Sequence, residues 1–118
     1  MQYMFLIYTD PQVAAAAPEE EMNATMAAYF AFDSEVRQNG KHVSGEGLQP
    51  PSTATTVRQS GGKLVTTDGP FAETKEFLGG YYILDCKDLD EAVEWAGKIP
   101  GVKYGSIEIR PVMIYPTE

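Results

Sequence analysis

The run Tyr3-Met4-Phe5-Leu6-Ile7-Tyr8 constrains this chain more than any other stretch. It is apolar or aromatic without a break and closes on the turn pair Asp10-Pro11, so it reads as a buried strand. Side chains alternate along a strand, which puts Tyr3, Phe5 and Ile7 on one face and Met4, Leu6 and Tyr8 on the other. Both sets are apolar. The segment Gly79–Cys86 repeats the pattern, with Tyr81 and Ile83 opposing Tyr82 and Leu84. A sheet built on these strands needs cover on both faces.

The segments between supply part of that cover. A helix is expected from about Pro18 to Asn39. Pro18 suits its first turn, Glu19, Glu20 and Glu21 complement the helix dipole, and Gly40 stops it. Met22, Thr25, Tyr29, Phe32 and Val36 form its apolar stripe, widened by Met26 and Phe30. A second helix begins at Asp88, with Glu91 three residues on as a capping box requires, and ends at Pro100-Gly101. Its stripe is Leu89, Ala92, Val93, Ala96 and Ile99, with Trp95 at the margin. Residues 11–18 read as an irregular lead-in. Extended segments are expected at 42–48, 53–59, 63–67 and 106–114, with Ser60-Gly61-Gly62 as a tight turn joining the middle two into a hairpin.

The order is strand, helix, strand, hairpin, strand, helix, strand over one domain of 118 residues. This is the α+β, ferredoxin-like pattern with an inserted β-hairpin. Two helices cover one face of such a sheet. A second copy of the sheet is the simplest cover for the other, which predicts a homodimer with facing sheets. The alternative is that the long connections 9–18 and 49–78 fold across the open face.

Charge narrows the partners. Seventeen acidic residues against nine basic ones leave a net charge of −8. Such a surface repels phosphate backbones and anionic membranes, so direct nucleic-acid or membrane binding is not expected. The one cysteine, Cys86, has no partner for an internal disulfide and no zinc-ligand spacing. With no basic leader before the short apolar N-terminal run, a cytoplasmic location is expected. No cofactor motif is present: the Gly61-Gly62 and Gly79-Gly80 pairs lack the context of a phosphate loop.

One segment carries unusual chemistry. Asp68-Gly69-Pro70-Phe71 is a turn sequence, and Glu73, Lys75 and Glu76 follow within five residues. Followed by Leu78-Gly79-Gly80-Tyr81-Tyr82, it resembles the signature of the DGPF family, a branch of the YCII-related proteins. The stretches Tyr3–Tyr8, Gly45–Pro50, Ala92–Ala96 and Ile109–Met113 match that family's style as well, so the resemblance covers nearly the whole chain. It implies a dimeric α+β barrel. It also implies an association, in some members, with extracytoplasmic-function sigma factors. In the wider YCII-related group a His–Asp pair is a suggested active site, the His early in the first helix and the Asp before a proline after the second. Here the first helix has no histidine and Ile99 precedes Pro100, so that mechanism does not carry over.

The residues themselves leave several roles open. Phe71 can anchor the segment while Asp68, Glu73, Lys75 and Glu76 face a cleft, or the charges can be an ion-pair network that fixes the loop. Glu46, between Gly45 and Gly47, is a second candidate acid for the same cleft, against the plainer reading of an exposed strand residue. Candidate catalytic residues are Asp68, Glu46, Glu76 and the single histidine, His42, although a lone histidine is more often a packing residue. Candidate ligand-binding residues add Phe71, Glu73, Lys75, Tyr81 and Arg110, the last for an anionic group. A hard cation among Glu46, Asp68 and Glu76 has no fixed geometry, and no metal site is expected. The function expected is binding, or weak catalysis, of a small molecule at the 68–76 segment. The alternative is a regulatory protein acting with a sigma factor, and a third reading makes the segment purely structural.

Overall fold

The computed structural model describes residues 1–72 and 74–116. Among these residues six strands and three α-helices follow in the order β1 (Gln2–Thr9), α1 (Pro11–Ala15), α2 (Glu19–Gln38), β2 (His42–Gly47), β3 (Thr55–Ser60), β4 (Lys63–Asp68), β5 (Phe77–Asp85), α3 (Leu89–Lys98) and β6 (Gly105–Pro111). Four of them make an antiparallel sheet in the order β2-β5-β1-β6, and β3 and β4 pair only with each other. The fold is α+β and ferredoxin-like, with the hairpin inserted between the second and third strands of the sheet.

The central run behaves as its composition requires. Tyr3, Phe5 and Ile7 are buried beneath Phe32 and Val36 of α2, Ala92, Trp95 and Ala96 of α3, and Ile99 just after it. Phe5 and Leu84 are fully buried. The ring of Phe32 meets Tyr82 edge-on at 5.2 Å and Trp95 at 6.2 Å, arrangements favoured by the aromatic quadrupole. The opposite face, carrying Met4, Leu6, Tyr81 and Ile83, is half-buried.

Several local expectations are corrected. Residues 11–15 are helical, because the buried Asp10 carboxylate accepts the Gln12 amide at 2.9 Å and caps the turn. Phe30 is exposed because it stands off the inward face of Tyr29, Phe32 and Val36, and Met22 and Met26 are exposed rather than core, because the first half of α2 reaches the body mainly through polar groups. There Tyr104 donates to Glu21 at 2.8 Å and stands 3.1 Å from the Thr25 hydroxyl. Trp95 is buried while Leu89 and Val93 are exposed, so the inward stripe of α3 is Ala92, Trp95, Ala96 and Ile99. These positions stand at i, i+3, i+4 and i+7, and three of the four belong to the expected stripe. The Asp88 carboxylate accepts the Glu91 amide at 2.9 Å, but the Glu91 carboxylate reaches back to the Lys87 amide, one residue before the cap. Strand β5 begins two residues early, at Phe77, and β6 ends at Pro111 instead of 114.

Candidate functional site

Glycines on the helix-facing side of the sheet create the main cavity. Tyr3, Phe5 and Ile7 point to the helices, so their cross-strand partners do as well. Ile7 pairs with Gly80, and Gly80 pairs with Gly47. Phe5 pairs with Tyr82, and Tyr82 pairs with Gly45. Three of these inward positions on β2 and β5 therefore lack side chains. Strand order then places the hollow under the middle of α2. The result is a cleft of about 360 Å³ between α2 and the sheet.

Tyr29 and Asp33 enter it from one face of α2, being four residues apart, and Tyr82, Ile7 and Thr9 enter from the sheet. Burial raises the Tyr82 phenol to about 12, with the charge of Asp33 adding to the effect. Burial also raises Tyr29, partly offset by the Gly101 backbone. Both phenols thus keep their protons at neutral pH and can donate hydrogen bonds.

Asp33 is held from its outer side. The Arg37 Nε donates to its Oδ2 at 2.7 Å, and Arg37 Nη2 lies 3.3 Å from His42 Nε2. A guanidinium has only donors, so Arg37 can donate to this nitrogen only where Nε2 carries no proton. His42 Nε2 stands 3.9 Å from Asp33 Oδ1, too far for a hydrogen bond. The cleft therefore offers two phenolic donors and one oriented carboxylate.

The residues singled out from sequence are dispersed. Glu46 and Tyr81 line the cleft, but they pair with each other, and Tyr81 pairs with Leu6. By the pleat their side chains belong to the open face, so they border the cleft through their backbone. Asp68 ends β4 opposite Thr55, and Phe71 is exposed beneath the Arg58 guanidinium, 5.0 Å from its centroid. Lys75 reaches Asp10 at 3.9 Å. The Glu76 carbonyl accepts the Thr74 hydroxyl. Arg110 is exposed on β6 beside Met4, and Glu73 lies outside the described residues. None of Asp68, Phe71, Lys75, Glu76 or Arg110 lines the cleft. A separate groove of about 330 Å³ lies at the hairpin's base, where Pro70 and Phe77 face Leu48, Pro50 and Ala54. Among the described residues, no three carboxylate, imidazole or thiolate groups are placed to share a metal ion.

Sequence reading missed Tyr29, Asp33 and Tyr82 as a group. The usable signals were the i, i+4 pairing of Tyr29 with Asp33 and three glycines in two strands otherwise suited to β structure.

The YCII-related domain model matches residues 1–115. The chain belongs to the YCII-related family. An uncharacterized protein of Rhizobium meliloti (strain 1021) is 38% identical over 117 residues, covering 98% of this chain and 94% of the relative. Among solved structures, this YCII-related chain is similar to 5-chloro-2-hydroxyhydroquinone dehydrochlorinase from Burkholderia phenoliruptrix AC1100, in complex with 2,5-dihydroxybenzoquinone. That similarity has a TM-score of 0.55 at 14% identity and covers 96% of this chain and 94% of the other. At this identity the likeness concerns the fold. No helix among the described residues is long and apolar enough to cross a membrane.

Proposed function

We propose that this YCII-related protein binds a small, flat, hydroxyl-bearing molecule in the cleft under α2 and acts on it as a weak enzyme. The observation that carries the reading is the alignment of Gly45, Gly47 and Gly80 on one face, which leaves a hollow where Tyr29, Asp33 and Tyr82 converge. A glycine floor admits a planar molecule close to the backbone, and the two aromatic rings suit stacking or edge contact with it. The phenols donate to ligand oxygens while Asp33 accepts a ligand hydroxyl and serves as the general base. The fold neighbour's bound 2,5-dihydroxybenzoquinone is of this size and chemistry, which supports the choice of ligand class. The cleft replaces the 68–76 segment as the seat of binding. The proposal also keeps a homodimer, supported by the apolar open face of Met4, Leu6, Tyr81 and Ile83. The sigma-factor partnership draws no support from the family match or the neighbours and is not carried forward.

The test is binding of 2,5-dihydroxybenzoquinone and simple dihydroxybenzenes to wild type, Gly47→Val and Asp33→Asn, followed by thermal shift and calorimetry. A Cβ on Gly47 meets nothing within 4 Å, so valine fills the cleft without disturbing the strand. Wild type should bind at least one member tighter than about 1 mM, and both variants should lose about tenfold or more. Equal binding by Gly47→Val, or no binding by wild type, would sink the reading.

A further inference from the structure

Met22, Met26, Tyr29 and Asp33 stand at i, i+4, i+7 and i+11, which sets them in one line along α2. Tyr29 and Asp33, at one end of that line, enter the cleft. Met22 and Met26 continue it toward the helix N-terminus, and they are 56% and 62% exposed. The flank that carries the cleft's polar groups therefore runs on as an apolar track. Methionine suits such a track, because its flexible thioether moulds to whatever lies on it. The open sheet face is on the other side of the molecule, so a copy seated there leaves the track uncovered.

The track ends at a second hollow. Between α1 and α2 about 180 Å³ is lined by Ala14, Ala17, Met22, Thr25 and Tyr104, and no charged side chain among the described residues lines it. Its two hydroxyls are already engaged. Thr25 donates to the Glu21 carbonyl at 2.9 Å, and Tyr104 donates to the Glu21 carboxylate at 2.8 Å. Each hydroxyl has one proton, so neither is left to donate to a ligand. Lys103, which does not line the hollow, pairs with Glu21 at 3.7 Å. The walls offer methyl groups, a thioether and an aromatic ring. Apolar cavities of about 150 Å³ hold benzene, so this hollow takes a hydrocarbon group of about that size.

Distance fixes what joins the two sites. Residues 22–25 and 29–33 are centred about 7.5 residues apart, or about 11 Å at the helical rise. An extended chain covers about 1.2 Å per bond, so beyond the edge of a ring in the cleft about six to eight carbons reach the hollow. We propose that the cleft's ligand carries an unbranched alkyl chain of about that length, which runs along Met26 and ends in the hollow beside Met22. The inference rests on the cleft assignment above and adds the class of molecule, an alkylated dihydroxybenzene or its quinone.

Calorimetric titration of the full chain with 4-ethyl-, 4-butyl-, 4-hexyl- and 4-octylresorcinol, each below its micelle concentration, tests it. Each methylene that reaches the hollow should tighten binding about threefold, a little less than full burial gives. From ethyl to octyl the dissociation constant should fall at least about 30-fold. Met22→Glu puts a carboxylate on the wall of the hollow, and Ala14→Leu fills it. Both should bind ethylresorcinol within about twofold of wild type and keep no more than about threefold of the octyl gain. Met22 is exposed, so its substitution leaves the core intact, and circular dichroism checks the helices of both variants. Val93→Glu, at an exposed apolar position on α3, should keep the full gain and so controls for non-specific adsorption of the chain. Three results overturn the proposal and leave the cleft assignment standing: ethylresorcinol binds with no gain on lengthening, the gain survives intact in both hollow variants, or Val93→Glu loses it as fully as they do. Binding of no member overturns both.

Discussion

Tyr82→Phe tests the electrostatics of the cleft without altering its shape. The ring keeps its edge contact with Phe32 at 5.2 Å, and among the described residues no hydrogen bond to the phenol oxygen is lost. Stability at neutral pH should therefore change by less than about 1 kcal/mol. The difference emerges in alkali. The folded chain holds the Tyr82 proton up to about 12, whereas an unfolded tyrosine loses it near 10.0. Between those values the unfolded state binds fewer protons, so wild-type stability falls as pH rises. Two pH units at about 1.36 kcal/mol each set a ceiling of about 2.7 kcal/mol. Tyr82 is only half-buried, and solvent screening reduces this to about 1–1.5 kcal/mol. Urea unfolding followed through Trp95, the single tryptophan and a buried one, reads the stability from pH 8 to pH 11.5 or so. Taking the difference between variant and wild type cancels the other titrating groups. The variant should match wild type below pH 10 and gain on it steadily above. A difference that stays flat through the alkaline range would mean that Tyr82 ionises as freely as an unfolded tyrosine, and the account of the cleft would be wrong.

Three further outcomes are expected. Gly47→Val should keep or raise the melting temperature, since a β-branched residue suits a strand better than glycine, by up to about 1 kcal/mol, while ligand binding is lost. Glu91→Gln should lower the melting temperature at neutral pH. The Lys87 amide and then the Lys41 ammonium hold the Glu91 carboxyl at about 2 instead of 4.5, so its stabilising effect is present above 4.5 and disappears as pH falls toward 2. The gap between variant and wild type should close over that interval in an acid titration of the thermal midpoint. Phe5→Ala should cost about 3–5 kcal/mol in chemical denaturation, because Phe5 is fully buried between the sheet and both helices.

The strands and the element order were legible because their signals are local. Tyr3–Tyr8 is apolar at every position, and any reading of it gives a strand with two faces to cover. Strand alternation also separated Tyr81 from Tyr82. The helical stripes were harder. Met22, Met26 and Phe30 have helical spacing, yet they are exposed, because burial depends on what lies opposite, and it is the face of Tyr29, Phe32 and Val36 that meets the core. Trp95 is buried for the converse reason: the ring of Phe32 lies across from it.

By itself, then, the sequence determined the α+β order, the two-faced central strands, the acidic surface and the segment 68–76 as a place of unusual chemistry. Only the tertiary structure decided where a ligand fits. Gly45, Gly47 and Gly80 become one floor only when β2, β5 and β1 pair in this register, and Tyr29 and Asp33 face it only when α2 crosses them. Pairing between distant strands is not written in any local pattern, and a slip of one residue would send each of those positions to the other face. The same limit hid the nature of the signature segment. Its charges suggested a cleft, but its position at the root of a free hairpin follows from which strands β3 and β4 leave unpaired.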